Sequence, residues 1–169
     1  VFCGIKAAVK FVGGSDELKG LRIAVQGVGN VGYDTARHLK AAGARIVVAD
    51  VNPANLHRAE ALGAEIAPPD AIHAVDADVY APCALGAVLN DRTIGQIKAK
   101  IVAGGANNQL ARPALHGRAL MEQGILYAPD YVINGGGIIR VCGQIYDWSD
   151  DAIRAKTERI GATLTEVFS

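Results

Sequence analysis

Short apolar runs alternate along the chain with stretches of helical period, joined by brief polar or glycine-bearing connectors. Phe2 to Phe11 reads as a helix. Leu21 to Gln26 is a short β-branched run, the signature of a buried strand. Gly27 to Gly32 makes a turn, and Val31 to Ala42 follows as a helix with Gly43 where a C-terminal cap belongs. Ala44 to Asp50 is a second strand. Pro53 opens a second crossover helix that runs to Leu62 before Gly63. Ala64 to Ile66 is a third strand. Helical turns near Asp70 to Val75 and Thr93 to Ile97 then alternate with strands at Asp78 to Ala81 and Lys100 to Ala103. Pro113 to Gln123 is a helix and Ile125 to Ala128 a sixth strand. Gly136 to about Tyr146 and Asp150 to Phe168 complete the chain as helices, the last with Ser149 as N-cap.

Six short strands separated by helices predict an α/β fold, a doubly wound parallel sheet with helices on both faces in a single three-layer domain. Two successive three-strand halves give an expected strand order of 3-2-1-4-5-6, the Rossmann dinucleotide-binding arrangement. Residues 1–20 then form a leading helix and linker, 21–148 the Rossmann domain, and 149–169 a C-terminal helix. That helix carries an apolar stripe at Ile153, Ile160, Leu164 and Val167, which must bury against something.

Gly27-Val28-Gly29-Asn30-Val31-Gly32 matches G-x-G-x-x-G. Alone the pattern is weak. Here it follows a strand, opens a helix, and is answered by an acid at the end of the next strand. The acid is Asp50, 23 positions after Gly27. Gly27 allows the tight turn, Gly29 lets the backbone approach a pyrophosphate, and Gly32 lets the helix pack close to the strand. The helix start offers free N–H groups and a positive dipole end to phosphates. The Asp50 carboxylate suits the adenosine ribose hydroxyls and repels a 2′-phosphate. Val51-Asn52-Pro53-Ala54 supplies no Arg or Lys to receive one. NAD is therefore the expected cofactor, in preference to NADP.

Ligands of such sheets sit beyond the carboxyl ends of the strands. The segments there are Ala81 to Gly86, Gly104 to Asn108, and Pro129 to Asn134 followed by Gly135-Gly136-Gly137. They are small residues with a few amides, suited to a flat cofactor. Asn107 and Asn108 could bond the nicotinamide carboxamide or a substrate carboxylate, or only cap local turns. The glycine triplet reads equally as an anion-binding helix start or as tight packing. His38, His57, His73 and His116 show no ligand spacing and are expected on surfaces or helix edges, so no metal is expected. Lys6 and Lys10, one helical turn apart, are expected on a solvated face.

Composition adds exclusions. Of 169 residues, 50% are hydrophobic and 20% charged, an ordinary globular balance. Lys+Arg and Asp+Glu stand at 17 each, without the basic excess that a nucleic-acid or anionic-membrane partner usually requires. No apolar run approaches the roughly 20 residues of a membrane span, and the opening residues lack the order of a secretory leader. Cys3, Cys83 and Cys142 are too few and too scattered for a disulfide framework or zinc ribbon, which points to the cytoplasm. Cys83 reads as a buried thiol, with no His or Asn pattern to support a nucleophile. The chain opens inside one predicted helix and stops inside another, as a fragment or excised domain would.

Together these segments resemble the glutamate/leucine/phenylalanine/valine dehydrogenase family. The likeness is strongest to the cofactor domains of its leucine and phenylalanine members. It is carried by Val1-Phe2-Cys3-Gly4-Ile5, Gly27 to Tyr33, Tyr80 to Gly86, Ala106 to Leu110, and Tyr127 to Asn134. The resemblance implies reversible NAD-dependent oxidative deamination of a branched-chain or aromatic L-amino acid to a 2-oxo acid and ammonia. It implies that Gly27, Val28, Gly29, Asn30, Val31, Gly32, Asp50 and Val51 bind NAD. Cys83, Ala84, Leu85, Ala106, Asn107 and Asn108 would lie along its nicotinamide side, with Asn107 or Asn108 also reaching substrate. Val132 and Ile133 would form the wall that meets the substrate side chain. Gly135 and Gly105 depart from the family's usual Ala and Ser.

The family's catalytic lysines and aspartate lie in an N-terminal substrate domain, which precedes a segment like Val1 to Gly4. No lysine here matches that motif, so no catalytic residue is expected in these 169 residues. The chain alone is expected to bind NAD without turnover. The expected partners are an amino acid or 2-oxo acid, that N-terminal domain, and further copies in a homo-oligomer. Two other readings share the fingerprint: a non-catalytic NAD-binding redox-sensing or regulatory module, and a hydroxy-acid dehydrogenase. The first has no reason to gather Ala106-Asn107-Asn108 and Ala81 to Ala84 at one cleft. The second would normally bring a catalytic His or Lys there.

Overall fold

The structure, a computed structural model, describes residues 1–169. Six parallel strands form one sheet in the order β3-β2-β1-β4-β5-β6. They are β1 Arg22–Gln26, β2 Arg45–Ala49, β3 Glu65–Ile66, β4 Val79–Pro82, β5 Ile101–Val102 and β6 Leu126–Tyr127. The helices are α1 Phe2–Gly13, α2 Asn30–Ala41, α3 Pro53–Glu60, α4 Pro113–Glu122, α5 Asp130–Ile133, α6 Gly136–Ile145 and α7 Asp150–Phe168. The expected strand order is observed.

The central strands read as continuous apolar runs because both their faces are buried. Ile23, Val25, Val48, Val79 and Ala81 turn to one face, where α1, α2, α3, α5 and α7 cover them. Ala24, Val47, Ala49, Tyr80 and Val102 turn to the other, under α4 and two single 3₁₀ turns. On α2, Gly32, Thr35, Ala36 and Leu39 are the buried positions, an i, i+3, i+4, i+7 stripe against the sheet. Leu39 is fully buried, and truncating such a residue to alanine costs roughly 2–5 kcal/mol.

The leading and trailing helices share this core. Ile160 and Leu164 bury the α7 stripe against α1 and α5, while Val167 stays half exposed. Gly4 admits the side chains of Ile133 and Leu164 where a Cβ would stand 2.5 Å from Ile133 Cγ1. Ser149 caps α7 as expected, its hydroxyl accepting from the Ala152 N–H at 3.2 Å. No helix is long and apolar enough to cross a membrane.

Several local expectations are corrected. The helices expected near Asp70 to Val75 and Thr93 to Ile97 are single 3₁₀ turns, Ile72–Ala74 and Ile94–Gln96. The second is held by side-chain bonds local to it, with Thr93 Oγ1 donating to Val88 O at 2.5 Å. Asp130 to Ile133, expected as irregular connection, is the helix α5, whose Val132 and Ile133 N–H groups both donate to Pro129 O. Lys6 and Lys10 keep the solvated face expected of them, Lys6 pairing with Asp16 at 2.8 Å at the surface.

Two of the four histidines are not on the surface. His73 bonds Gln96 Oε1 at 3.2 Å and is 7% exposed. His116 is 2% exposed. Its Nδ1 accepts the Arg112 N–H at 2.9 Å, satisfying a donor at the start of α4, and its Nε2 lies 3.3 Å from Asp91.

Candidate functional site

The strand order reverses between β1 and β4, and the loops beyond their carboxyl ends meet there. The Gly27 N–H donates to Ala49 O at 2.7 Å, and the Cys83 N–H to Gln26 O at 2.7 Å, so the ends of β2, β1 and β4 are tied together. The three fingerprint glycines serve three different needs. Gly27 has φ +84, a left-handed conformation that favours glycine, and a Cβ on it would stand 2.5 Å from Ala84 Cβ. On Gly32 a Cβ would lie 1.9 Å from the Gly27 carbonyl oxygen, so α2 packs this close to the turn only without a side chain. A Cβ on Gly29 would meet nothing within 4 Å. Packing within the chain does not require glycine at 29; the space above it is open.

That space lies at the start of α2. The N–H groups of Gly29, Asn30, Val31 and Gly32 have no hydrogen-bond partner within the chain, and no side chain caps this end. Four free donors at the positive end of a helix, above a backbone position with no side chain, suit a diphosphate.

Asp50 stands beside this loop. Its Oδ2 accepts from the Val28 N–H at 2.8 Å and the Asn55 amide at 3.2 Å, and its Oδ1 from the Asn52 N–H at 2.8 Å. Partial burial opposes its ionisation, but these bonds outweigh it and hold the carboxyl below its ordinary value. An ionised carboxylate has about four acceptor sites. Two of these bonds fall on Oδ2 and one on Oδ1, with the Val51 N–H also favouring the charge, so Oδ1 is the less bonded oxygen.

Beyond the loop opens a cleft of about 940 Å³. One flank of α2, with Val31, Asp34, His38 and the edge of buried Thr35, lines it. The rest of the lining comes from Gly105, Asn107 and Asn108, from Asp130, Tyr131, Asn134 and Ile138, and from Val1 and Phe2. The loop after β5 is shaped from within by Gln109. This fully buried side chain donates through Nε2 to Gly104 O at 2.8 Å and Ala106 O at 3.0 Å, while its N–H donates to Asp130 Oδ2 at 3.3 Å. Gln109 Oε1 and the Tyr127 hydroxyl are buried without partners. Burial, then the nearby Asp130 carboxylate, pushes the Tyr127 phenol up. The loop after β4 lies alongside, Ala87 N–H donating to Asn108 O at 2.7 Å and Leu89 N–H to Gln109 O at 2.9 Å.

The residues singled out from sequence are distributed unevenly. Val31, Asn107 and Asn108 line the cleft. Asn30 is exposed at the start of α2, and Val51 and Leu85 are strongly exposed, at 87% and 77%. Val28 and Ala106 turn their side chains into the interior and offer only backbone. Cys83 packs on the core with its sulfur accepting the Gly105 N–H at 3.4 Å. Burial pushes its thiol up, against that hydrogen bond, which disfavours the thiolate a nucleophile needs. Ala84 packs over Gly27.

The structure places the two residues expected at a substrate wall, Val132 and Ile133, away from this cleft. Ile133 is fully buried in the core, and Val132 faces a groove between α6 and α7. Because this segment is a helical turn, Tyr131 and Asn134 face the cleft, joined by Ile138 from α6. The Asn134 side chain donates to Asn107 Oδ1. Asn134, Ile138 and the Asp34–Thr35–His38 face of α2 escaped the sequence reading. The α2 positions 31, 34, 35 and 38 do share one helical face by spacing alone. No lysine lines the cleft.

A family model described as glutamate/leucine/phenylalanine/valine dehydrogenase matches residues 51–167. Over 169 residues the chain is 49% identical to leucine dehydrogenase of Bacillus subtilis (strain 168), a match covering 99% of this chain and 46% of that protein. It is 41% identical over 175 residues to phenylalanine dehydrogenase of Lysinibacillus sphaericus, covering 100% of this chain and 46% of that protein. The crystal structure of L-tryptophan dehydrogenase from Nostoc punctiforme superposes with a TM-score of 0.96 at 42% identity, over 99% of this chain and 51% of that one. The chain spans about half the length of the curated relatives it matches.

Proposed function

The chain belongs to the glutamate/leucine/phenylalanine/valine dehydrogenase family, and we propose that it is the NAD-holding part of an L-amino-acid dehydrogenase. The observation that carries the cofactor reading is the pairing of an open cradle at Gly29, under four free N–H groups, with an ionised Asp50 bonded to the same loop. In this reading the pyrophosphate takes the N–H groups of Gly29 to Gly32. Asp50 Oδ1, the less bonded oxygen, accepts one adenosine ribose hydroxyl. A 2′-phosphate would face that carboxylate, with no Arg or Lys among residues 51–54 to receive it, so NAD is favoured over NADP. When bound, the nicotinamide takes up or returns a hydride at the substrate carbon.

The leucine, tryptophan and phenylalanine dehydrogenases among the relatives support a branched-chain or aromatic amino acid as substrate. Tyr131 and Ile138, exposed and apolar on the cleft wall, suit such a side chain. A group that activates water against an imine is a positioned general base, and the family resemblance gives that role to a lysine. The cleft holds none. The 169-residue chain by itself therefore binds NAD without turnover, and the rest of a full-length enzyme, working as a homo-oligomer, supplies the acid–base groups. The test is calorimetric titration with NAD and NADP, followed by assays of leucine, valine and phenylalanine at high protein concentration. NAD binding tighter than NADP, with no turnover, is expected. Equal affinities would overturn the role of Asp50, and clear turnover would overturn the division of labour.

A further inference from the structure

The loops that follow β4, β5 and β6 are joined at one fully buried residue, Gln109. Its side-chain Nε2 donates to Gly104 O at 2.8 Å and to Ala106 O at 3.0 Å, closing the turn after β5 on itself. Its carbonyl accepts the Leu89 N–H at 2.9 Å from the loop after β4. Its N–H donates to Asp130 Oδ2 at 3.3 Å, at the start of α5 beyond β6. Turned the other way, the amide would set its oxygen against two carbonyl oxygens, so its partners fix its orientation. Its Oε1 has no partner. The polar contribution of the side chain is therefore two N–H donors and nothing else. None of these bonds reaches the Gly27–Gly32 turn or Asp50, whose carboxylate is held by Val28, Asn52 and Asn55.

A dinucleotide in this fold lies across the point where the strand order reverses, one nucleotide on each half of the sheet. The Gly29 cradle and Asp50 belong to the half built on β1, β2 and β3, and the loops joined by Gln109 to the half built on β4, β5 and β6. We infer that Gln109 is a positioning residue: its two amide N–H groups hold the loops that receive the nicotinamide end, independently of the cradle that receives the adenosine end. This rests on the proposed NAD site. Gln109 is buried and does not line the cleft, so it acts through the turn it closes and through Asp130. Without its donors the carbonyls of Gly104 and Ala106 are stranded in the interior, and the turn gains by opening toward water.

The experiment titrates wild type, Gln109→Met and Gln109→Glu with NADH and with ADP-ribose, which lacks the nicotinamide ring. Calorimetry gives both affinities, and the fluorescence of the reduced ring reports its immobilisation. The wild type is expected to bind both ligands and to change the ring emission. Gln109→Met, of similar size but without a donor, is expected to lose at least about tenfold in NADH affinity, the effect of one stranded buried carbonyl. It should also lose the emission change and keep the ADP-ribose affinity. Gln109→Glu carries the signature of hydrogen-bond donation. Protonated, its carboxyl donates to one of the two carbonyls; ionised, it repels both. Burial, and the Asp130 carboxylate on its N–H, push its titration above the ordinary value of about 4.3. Its NADH affinity relative to wild type should therefore fall as pH rises from about 5 to 9, while its ADP-ribose affinity follows the wild type. The inference is overturned if Gln109→Met binds NADH and shifts its emission as wild type does. It is overturned equally if either variant loses ADP-ribose together with NADH, or if Gln109→Glu keeps one ratio to wild type at every pH. A wild type that binds both ligands without any change in ring emission overturns the positioning role and leaves the adenosine end standing. A wild type that binds neither overturns the NAD site itself, and the inference with it.

Discussion

Gly29 and Gly32 lie three positions apart in one turn, yet alanine should act on them in opposite ways. At Gly32 the added methyl would stand 1.9 Å from the Gly27 carbonyl oxygen. Real Cβ atoms essentially never approach within 3.0 Å, so about 1 Å of separation must open between two pieces of backbone. No rotamer change can supply it; α2 must move off the turn. Overpacking of this kind costs typically about 1–3 kcal/mol, occasionally more, against a gain of about 1 kcal/mol from alanine's helix propensity. The contact is shorter and stiffer than a side-chain clash, so we expect a net loss of roughly 1–2 kcal/mol. For a domain of this size that lowers Tm by about 2–8 °C. At Gly29 the methyl meets nothing within 4 Å, and the backbone, at φ −64 and ψ −156, needs no left-handed conformation. Gly29→Ala should leave Tm within about 2 °C of wild type, as surface substitutions do. The methyl instead occupies the cradle. Displacing a phosphate from one charge-assisted hydrogen bond costs about 1.5–3 kcal/mol, and about 1.4 kcal/mol is tenfold in affinity. NAD affinity should therefore fall at least tenfold. Thermal melts and calorimetric titration of both variants decide it. Gly29→Ala binding NAD as wild type does would refute the cradle. Gly32→Ala melting at the wild-type temperature would refute the packing argument.

Two further outcomes follow from side chains outside the cleft wall. The Asp50 carboxyl is held below its ordinary value, so the folded state takes up its proton less readily than the unfolded chain. Its stabilisation is present above the ordinary carboxylate range and is lost as pH falls through that range. The Tm difference between wild type and Asp50→Asn should narrow below about pH 4, whereas a constant offset at all pH values would show that ionisation is not what stabilises the loop. His116→Ala removes the acceptor of the Arg112 N–H and a partner of Asp91 from a buried position. A loss of about 1–3 kcal/mol is expected, read as a lower urea midpoint at constant m; an unmoved midpoint would contradict it.

The sheet was legible because its determinants are local. Runs such as Arg45 to Ala49 are apolar after their first residue, and the turn between β1 and α2 carries its own glycines. Strand order followed from the two-half pattern, and that in turn located the cleft. Elements of one turn were not legible in the same way. Ile72–Ala74 and Ile94–Gln96 contain too few residues to separate a 3₁₀ turn from an α-helix by period. The same holds for Asp130–Ile133, with larger consequences, because a four-residue helix rotates Ile133 inward and Asn134 toward the cleft. Roles that rest on backbone survived this uncertainty: the glycines at 27 and 32 behave as their spacing implies. Roles that rest on two side chains meeting did not. Asn134 and Asn107 are 27 positions apart, and Asp91 and His116 are 25 apart. Nothing in either pattern announces the approach.

Asp50 joins the two kinds of role, and this bears on how the cofactor choice is built. From sequence it is the residue that distinguishes two dinucleotides by charge. In the structure its carboxylate also accepts the Val28 N–H inside the fingerprint and ties the end of β2 to the turn after β1. Its bond to the Asn52 N–H organises the residues just before α3, whose first turn Asn52 caps in turn. The group proposed to face the ribose is thus one of the groups that holds the glycine loop in shape. Removing its charge to admit a 2′-phosphate would also remove acceptors from two backbone donors next to the cradle. In the proposed site, cofactor preference and loop geometry are coupled through one side chain. A change of preference at this site therefore requires a replacement acceptor for the Val28 N–H as well as a cation for the phosphate.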